Sequence, residues 1–215
     1  MKRSVGWLGI ETVGIVLAGG ASSRMGRDKA GLELGGETLA AGAARRLAAV
    51  CAEVALADRG RQLVPGLPSL PDGPGRGPAA GLLGAARAYP GRPLLALACD
   101  LPHVPISLLA ELGRAFESAG ADWVLPRWRG GSEPLCALWG PRALAALEDR
   151  VARGIYALWS LAEEGDLAVH WLEGDLLVAF GRPEELFLNV NTPEELAAAR
   201  ARHPAAAPPL RPELS

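Results

Sequence analysis

The residues best suited to chemistry lie in Gly14-Ile15-Val16-Leu17-Ala18-Gly19-Gly20-Ala21-Ser22-Ser23-Arg24-Met25-Gly26-Arg27-Asp28-Lys29. A β-branched apolar run breaks there into paired glycines, two hydroxyls and a cluster of cations. Glycines let backbone N–H groups converge on an anion without side chains in the way. Arg forks onto phosphate oxygens and Lys acts as a mobile point charge, so several cations on one loop suit a polyphosphate. The spacing matches neither of the common glycine loops. A dinucleotide fingerprint needs G-x-G-x-x-G, and a Walker A loop needs Gly-Lys followed by Ser or Thr, whereas Lys29 stands between Asp28 and Ala30.

Three further segments hold groups that could face a ligand. Leu94-Leu95-Ala96-Leu97-Ala98-Cys99-Asp100-Leu101-Pro102 puts one carboxylate at the end of an apolar strand. In open α/β sheets that edge lines the ligand crevice. A hard oxygen ligand there can hold Mg²⁺, which binds through one or two carboxylates plus substrate phosphates. A turn cap before Pro102 would use Asp100 equally well. Asp72 in Pro71-Asp72-Gly73-Pro74 reads by itself as an Asp-Gly turn. In Asn189-Val190-Asn191-Thr192-Pro193-Glu194-Glu195 the second half is a helix start, with Thr as cap and Pro at the first position. The two Asn are not needed for that cap. In an extended segment they would share a face and could bond one ligand, or tie the last strand to a loop.

These motifs need a scaffold that brings strand ends together, and the hydrophobic pattern supplies one. Short apolar runs alternate with Ala/Leu/Arg-rich helical patterns, the rhythm of an α/β sheet. Strands are expected at 13–17, 54–57, 93–99 and 168–172, and helices at 38–50, 79–89, 105–119, 141–151, 155–164 and from Pro193. Runs 123–126 and 135–139 flank Arg129-Gly130-Gly131 and predict a hairpin-like excursion in an otherwise parallel sheet. The Pro- and Gly-punctuated stretch 65–77 predicts a loop. One domain is expected over 1–203, with residues 1–11 an extension and 204–215 a disordered Pro/Ala-rich tail.

Composition bounds the function. A net charge of −2 gives no bulk attraction for nucleic acid or an anionic membrane. No run reaches the roughly 18 apolar residues of a membrane span. The three cysteines are scattered and the three histidines do not cluster, so a disulfide framework or structural zinc is not expected, and a reducing cytoplasm is. Basic residues are almost all Arg; the sole internal Lys is Lys29, within the candidate phosphate loop. The Trp residues read as packing rather than as a base-stacking platform.

Taken together, Leu-Ala-Gly-Gly-x-Ser-x-Arg-Met-Gly-x-Asp-Lys, the strand-end Asp-x-Pro, the Asp followed by a Gly/Pro-rich turn, and Asn-x-Asn-Thr-Pro-Glu-Glu-Leu resemble the molybdenum cofactor guanylyltransferases, the MobA family. The resemblance spans about residues 13–200. It implies a three-layer Rossmann-like α/β fold with a mostly parallel sheet, of the nucleotide-diphospho-sugar transferase type. It implies transfer of GMP from GTP to molybdopterin with Mg²⁺. Leu17, Ala18, Gly19, Gly20, Lys29, Asp72 and Asp100 would bind the nucleotide, and Asp100 the metal. Arg24, Lys29 and Asp100 would carry catalysis, with Asn189 and Asn191 on the molybdopterin side. Transient contact with cofactor-delivering or acceptor molybdoenzyme proteins is also implied. The chain departs from the family at the end of its second strand. A usual Asn is replaced by Ala57, leaving Asp58 or a backbone contact to serve the nucleotide. Related cytidylyl- or sugar-phosphate nucleotidyltransferases, and a non-catalytic nucleotide-binding regulator, stay open as alternatives.

Overall fold

The computed structural model describes residues 11–19, 29–163, 165–190 and 192–202. Residues 1–10 of the expected extension, the tail, Gly20, Arg24 and Asn191 lie outside the described residues.

Three strands form the middle of the sheet, apolar throughout except for Glu53 at the start of one: β1 (Val13–Leu17), β4 (Glu53–Ala57) and β6 (Leu94–Ala98). Both faces of these strands are covered, which is why they read as continuous hydrophobic runs rather than alternating ones. β1 pairs in parallel with both neighbours, and Leu17 stands opposite Ala57 on one side and Ala98 on the other. The full order is β10-β7-β9-β6-β1-β4-β5, completed by β5 (Ser69–Leu70), β7 (Trp123–Trp128), β9 (Cys136–Trp139) and β10 (Val169–Leu172). β9 runs antiparallel to both β6 and β7. The excursion therefore forms as expected, with β8 (Gly131–Ser132) folding back on β7 through Arg129 and Gly130, both at positive φ. A two-stranded ribbon, β2 (Glu33–Leu34) with β3 (Glu37–Thr38), stands apart from this sheet.

Strand side chains alternate between two cores. Val13, Ile15 and Leu17 join Leu94 and Ala96 on one face, where α2 (Gly77–Ala88) and α4 (Pro141–Ala152) contribute Leu82, Leu83, Leu144 and Leu147. Val16, Leu95 and Leu97 point to the other, against Leu47 of α1 (Leu39–Ala48) and Leu108 and Leu112 of α3 (Ile106–Ala119). The result is the expected three-layer α/β architecture. Helix starts follow local chemistry. The Thr38 hydroxyl accepts from Ala41 N at 3.1 Å, and proline occupies the first turn of α2 and α4. α7 (Pro193–Arg202) opens with a reciprocal cap, in which the Glu195 N–H donates to Thr192 Oγ1 and the Thr192 N–H to the Glu195 carboxylate.

Two expectations fail. The helix expected over 155–164 is a 3-10 turn at Trp159–Glu163, preceded by irregular chain. Gly154 ends α4 at φ +79°, and the buried Arg150 guanidinium donates to Ala157 O and to Ser160 Oγ at 2.6 Å. Those bonds hold the segment open in place of a helical ladder. The stretch 65–77 is loop-rich, but Ser69–Leu70 adds β5 to the sheet edge beside β4. Two one-turn helices, α5 (Asp175–Val178) and α6 (Pro183–Leu186), were not expected at all.

Candidate nucleotide site at the strand ends

The carboxyl ends of β1, β4 and β6 are knitted together past the last strand residues. Ala18 N donates to Ala57 O at 3.1 Å, Cys99 N to Leu17 O at 3.1 Å, and Ala98 N to Leu135 O at 2.8 Å. These bonds carry the sheet one residue further and fix where Gly19 and Asp100 leave it. Leu17 and Ala18 are buried and shape the floor through backbone, while Gly19 is partly open. Lys29 begins the 3-10 turn Lys29–Gly31.

Asp72 reaches this cleft from the loop after β5. A Cβ built on Gly19 would lie 3.7 Å from Asp72 Oδ1, 3.7 Å from Arg59 Nε and 3.5 Å from Ala57 O. The loop is set by close backbone packing. Gly73 N donates to Ala80 O at 2.8 Å, and a Cβ on Gly73 would sit 2.6 Å from Gly84 N of α2, so only glycine fits. The Asp72–Gly73 pair is thus more than a generic turn, because its geometry depends on a helix glycine.

Asp100 is half-buried at the end of β6. Its turn is braced from α1 by Arg46, whose guanidinium donates to Leu101 O at 2.8 Å and Val104 O at 2.9 Å. Burial brings the Arg46 pKa down to about 10, still well above neutrality, so the clamp stays charged. The Val190 N–H donates to the Asp100 carbonyl at 2.9 Å. The Asn189 segment, irregular rather than a strand, is therefore seated directly on the Asp100 turn. Both readings of that segment share one placement: it ties a loop, and it does so beside the candidate metal ligand.

Two further residues shape this end of the sheet. Asp58 has no exposed surface and does not face a ligand. Its carboxylate accepts from Gly60 N at 3.2 Å, Leu63 N at 3.0 Å and the Ser69 hydroxyl. It builds the loop after β4 and cannot replace the missing Asn. Glu133, just before β9, puts a second carboxylate near Asp100. Burial pushes its pKa up, the Trp128 indole N–H at 3.1 Å pulls it down, and the Asp100 charge pushes it up again. The sequence signal was a lone Glu before Pro134 in an apolar run, a place where an unpartnered charge is costly. The expected packing role of Trp holds for Trp123 and Trp139, whose ring centroids lie 4.2 Å apart, and Cys99 is buried beside Asp100.

The donor set suits a hard divalent ion that is completed by substrate. Asp100 offers carboxylate oxygens there, and Glu133 lies close enough to feel its charge. Mg²⁺ characteristically binds in this way, through few protein ligands plus phosphate and water.

A family model described as a MobA-like NTP transferase domain matches residues 14–168. The chain belongs to the MobA-like NTP transferase family. Among family relatives, the molybdenum cofactor guanylyltransferase of Rhizobium meliloti strain 1021 is 38% identical over 200 residues, covering 87% of this chain and 89% of that protein. A probable molybdenum cofactor guanylyltransferase of Pelotomaculum thermopropionicum is 33% identical, covering 89% and 93%. Among solved structures, molybdopterin-guanine dinucleotide biosynthesis protein A from Archaeoglobus fulgidus superposes with a TM-score of 0.76 at 25% identity, over 88% of this chain and 97% of that one. The 2-C-methyl-D-erythritol 4-phosphate cytidylyltransferase of Thermus thermophilus shares the fold at a TM-score of 0.63 and 19% identity, over 87% and 97%. No described helix is long and apolar enough to cross a membrane.

Proposed function

We propose that this MobA-like protein is a molybdenum cofactor guanylyltransferase, moving GMP from GTP to the terminal phosphate of molybdopterin. The observation that carries this reading is the Val190 N–H bond to the Asp100 carbonyl. It places the segment expected to meet the acceptor beside the residue expected to meet the nucleotide's metal. A transferase must hold two phosphates in line, and a fixed distance between the two subsites does that. The names and coverage of the relatives support the same substrates.

The chemistry asks for positioning and charge neutralisation. An oxygen of the acceptor's terminal phosphate bonds to the α-phosphorus of GTP, the bond to the β-phosphate breaks, and pyrophosphate leaves. The attacking oxygen is already ionised, so no general base is required. Leu17, Ala18, Gly19 and Gly20 let the backbone approach the nucleotide, and Asp72 accepts from it. Arg24 and Lys29 offset charge on the phosphates as it shifts to the leaving group. Asp100 would hold Mg²⁺, with Glu133 a second carboxylate on the same wall. When bound, Mg²⁺ supplies charge neutralisation across the phosphates. Asn189 and Asn191 orient the acceptor. Three buried cysteines outside any disulfide suit a reducing cytoplasm, and transient docking of proteins that deliver or receive the cofactor belongs to the same reading.

A thermal-shift panel of GTP, CTP, ATP and UTP, each with and without Mg²⁺, tests it. Ligand at 100 times its Kd adds about 2.7 kcal/mol, or roughly 5–10 °C at this size. A Mg²⁺-dependent shift confined to GTP is expected. A preference for CTP would replace this reading with a cytidylyltransferase, and no shift with any nucleotide would refute it.

A further inference from the structure

The loop after β4 is built with more care than a connection needs. Asp58 is fully buried and its carboxylate gathers Gly60 N, Leu63 N and the Ser69 hydroxyl. Gly60 N is also directed at Leu70 O, 3.2 Å away. Arg61 braces the other side, donating from Nε to Asp58 O at 2.8 Å and from Nη2 to Ala18 O. Within this frame Arg59 adopts φ +63°. A non-glycine residue there is strained and persists only where its surroundings over-determine it.

That backbone turn sends the Arg59 side chain across the end of β1. Its Nε donates to Asp72 Oδ2 at 2.8 Å, and both groups stand 3.7 Å from the point a Gly19 side chain would occupy. Guanidinium and carboxylate therefore lie side by side at the open glycine, with about two-fifths of the Arg59 side chain exposed. One bond to Asp72 uses one of five guanidinium donors, and a carboxylate has about four lone-pair sites. A donor group beside an acceptor group complements an edge on which an acceptor stands beside donors. Guanine has that edge, with its 6-oxo acceptor next to N1–H and the 2-amino group. Adenine offers an amino donor at position 6, which would face the guanidinium donor to donor.

We infer that Arg59 is a specificity-determining residue: it donates to the 6-oxo group of the base while Asp72 accepts from N1–H and the 2-amino group. The inference rests on the proposal that this cleft takes a guanine nucleotide. It also accounts for Ala57 and Asp58, since base reading passes from the strand end to the next residue.

The test is calorimetric titration of the full-length protein with Mg²⁺, using GTP and 6-thioguanosine triphosphate, which keeps N1–H and the 2-amino group but carries a poor acceptor in place of the 6-oxo group, with ATP as reference. Arg59→Met is expected to weaken GTP about tenfold or more and leave the 6-thio nucleotide nearly unchanged. Arg59→Lys, which keeps a donor but not the fork, should lose less, and for GTP alone. Equal weakening of both nucleotides in Arg59→Met would assign Arg59 to the phosphates or to folding and overturn the inference, as would no weakening of either. If the unaltered protein binds GTP no better than ATP, the guanine reading itself has failed, and that outcome is visible before any variant is made.

Discussion

Replacing Gly73 by Ala tests whether the Asp72 loop is positioned by backbone contact with α2. A Cβ at this position would lie 2.6 Å from Gly84 N and 2.7 Å from the Leu83 carbonyl carbon, both backbone atoms of a helix. Ordinary contacts begin near 3.4 Å, so the loop must retreat by about 0.8 Å, as contacts with backbone atoms cannot be relieved by a rotamer change. Retreat also strains the 2.8 Å bond from Gly73 N to Ala80 O. Overpacking costs about 1–3 kcal/mol and a lost backbone bond about 1 kcal/mol. The lower entropy of the unfolded alanine chain returns about 0.4–1 kcal/mol. A net loss of about 2 kcal/mol is expected, or roughly 4–8 °C in Tm at this chain length. Displacing Asp72 by most of an ångström should also weaken GTP about tenfold, since a bond to a charged acceptor is worth about 1.5–3 kcal/mol. Scanning calorimetry gives the first number and titration calorimetry the second. Gly84→Ala drives a methyl into the Pro71 carbonyl and Gly73 N from the helix side, and should reproduce both effects. Gly42→Ala is the contrast. Its Cβ meets the flexible end of Glu37 at 3.2 Å, so helix propensity should raise stability by up to about 1 kcal/mol. A Gly73→Ala protein with unchanged Tm and unchanged GTP affinity would refute the packing argument.

Other perturbations follow from the same geometry. Arg46→Met removes the donor to Leu101 O and Val104 O and should cost roughly 2 kcal/mol, part of the lost bonding being offset by relief of the buried charge; Mg²⁺-dependent GTP affinity should fall with it, and an unchanged denaturation midpoint and affinity would contradict the clamp. Burial pushes the thiols of Cys51 and Cys136 up to about 12, so iodoacetamide at pH 7.5 should label neither in the folded protein and both after unfolding; mass spectrometry of the native digest decides. Glu133 has a folded-state pKa raised above its unfolded value, so the stability it contributes is fully present below the ordinary carboxylate range and is lost as pH rises through the raised value. With divalent ions chelated, Glu133→Gln should therefore gain stability over the unaltered protein at pH 7 and lose that advantage towards pH 4, because Gln keeps an acceptor for Trp128; equal pH slopes would remove the buried charge from the account.

What could be read from sequence divides by the range of the interaction. β1, β4 and β6 announce themselves because a strand buried on both faces must be apolar throughout, and Asp100 stands out as the first charge after such a run. The Thr192–Glu195 cap is equally local, and it forms as read. Asp58 and Arg59 were not legible in this way. Which of two adjacent charged residues turns inward depends on Ser69 and Leu63, supplied by chain several residues further on. Glu133 was missed for the same reason, since its partner Asp100 is distant in sequence and adjacent only across the β6–β9 pairing. The segment 155–164 carries helical spacing, yet its bonds go to Arg150, and a side chain that satisfies a backbone carbonyl removes the need for a helix. Gly73 and Gly84 are unremarkable in a glycine-rich chain until the helix and the loop are seen to touch through them.

The most direct measurement of the central claim is pyrophosphate release from GTP in the presence of molybdopterin and Mg²⁺, with the guanine dinucleotide product followed by chromatography. One pyrophosphate for each dinucleotide formed, dependence on the acceptor, and loss of turnover in Asp100→Asn with the fold intact are expected. Turnover that persists undiminished in Asp100→Asn, or that runs with CTP and not GTP, would contradict it.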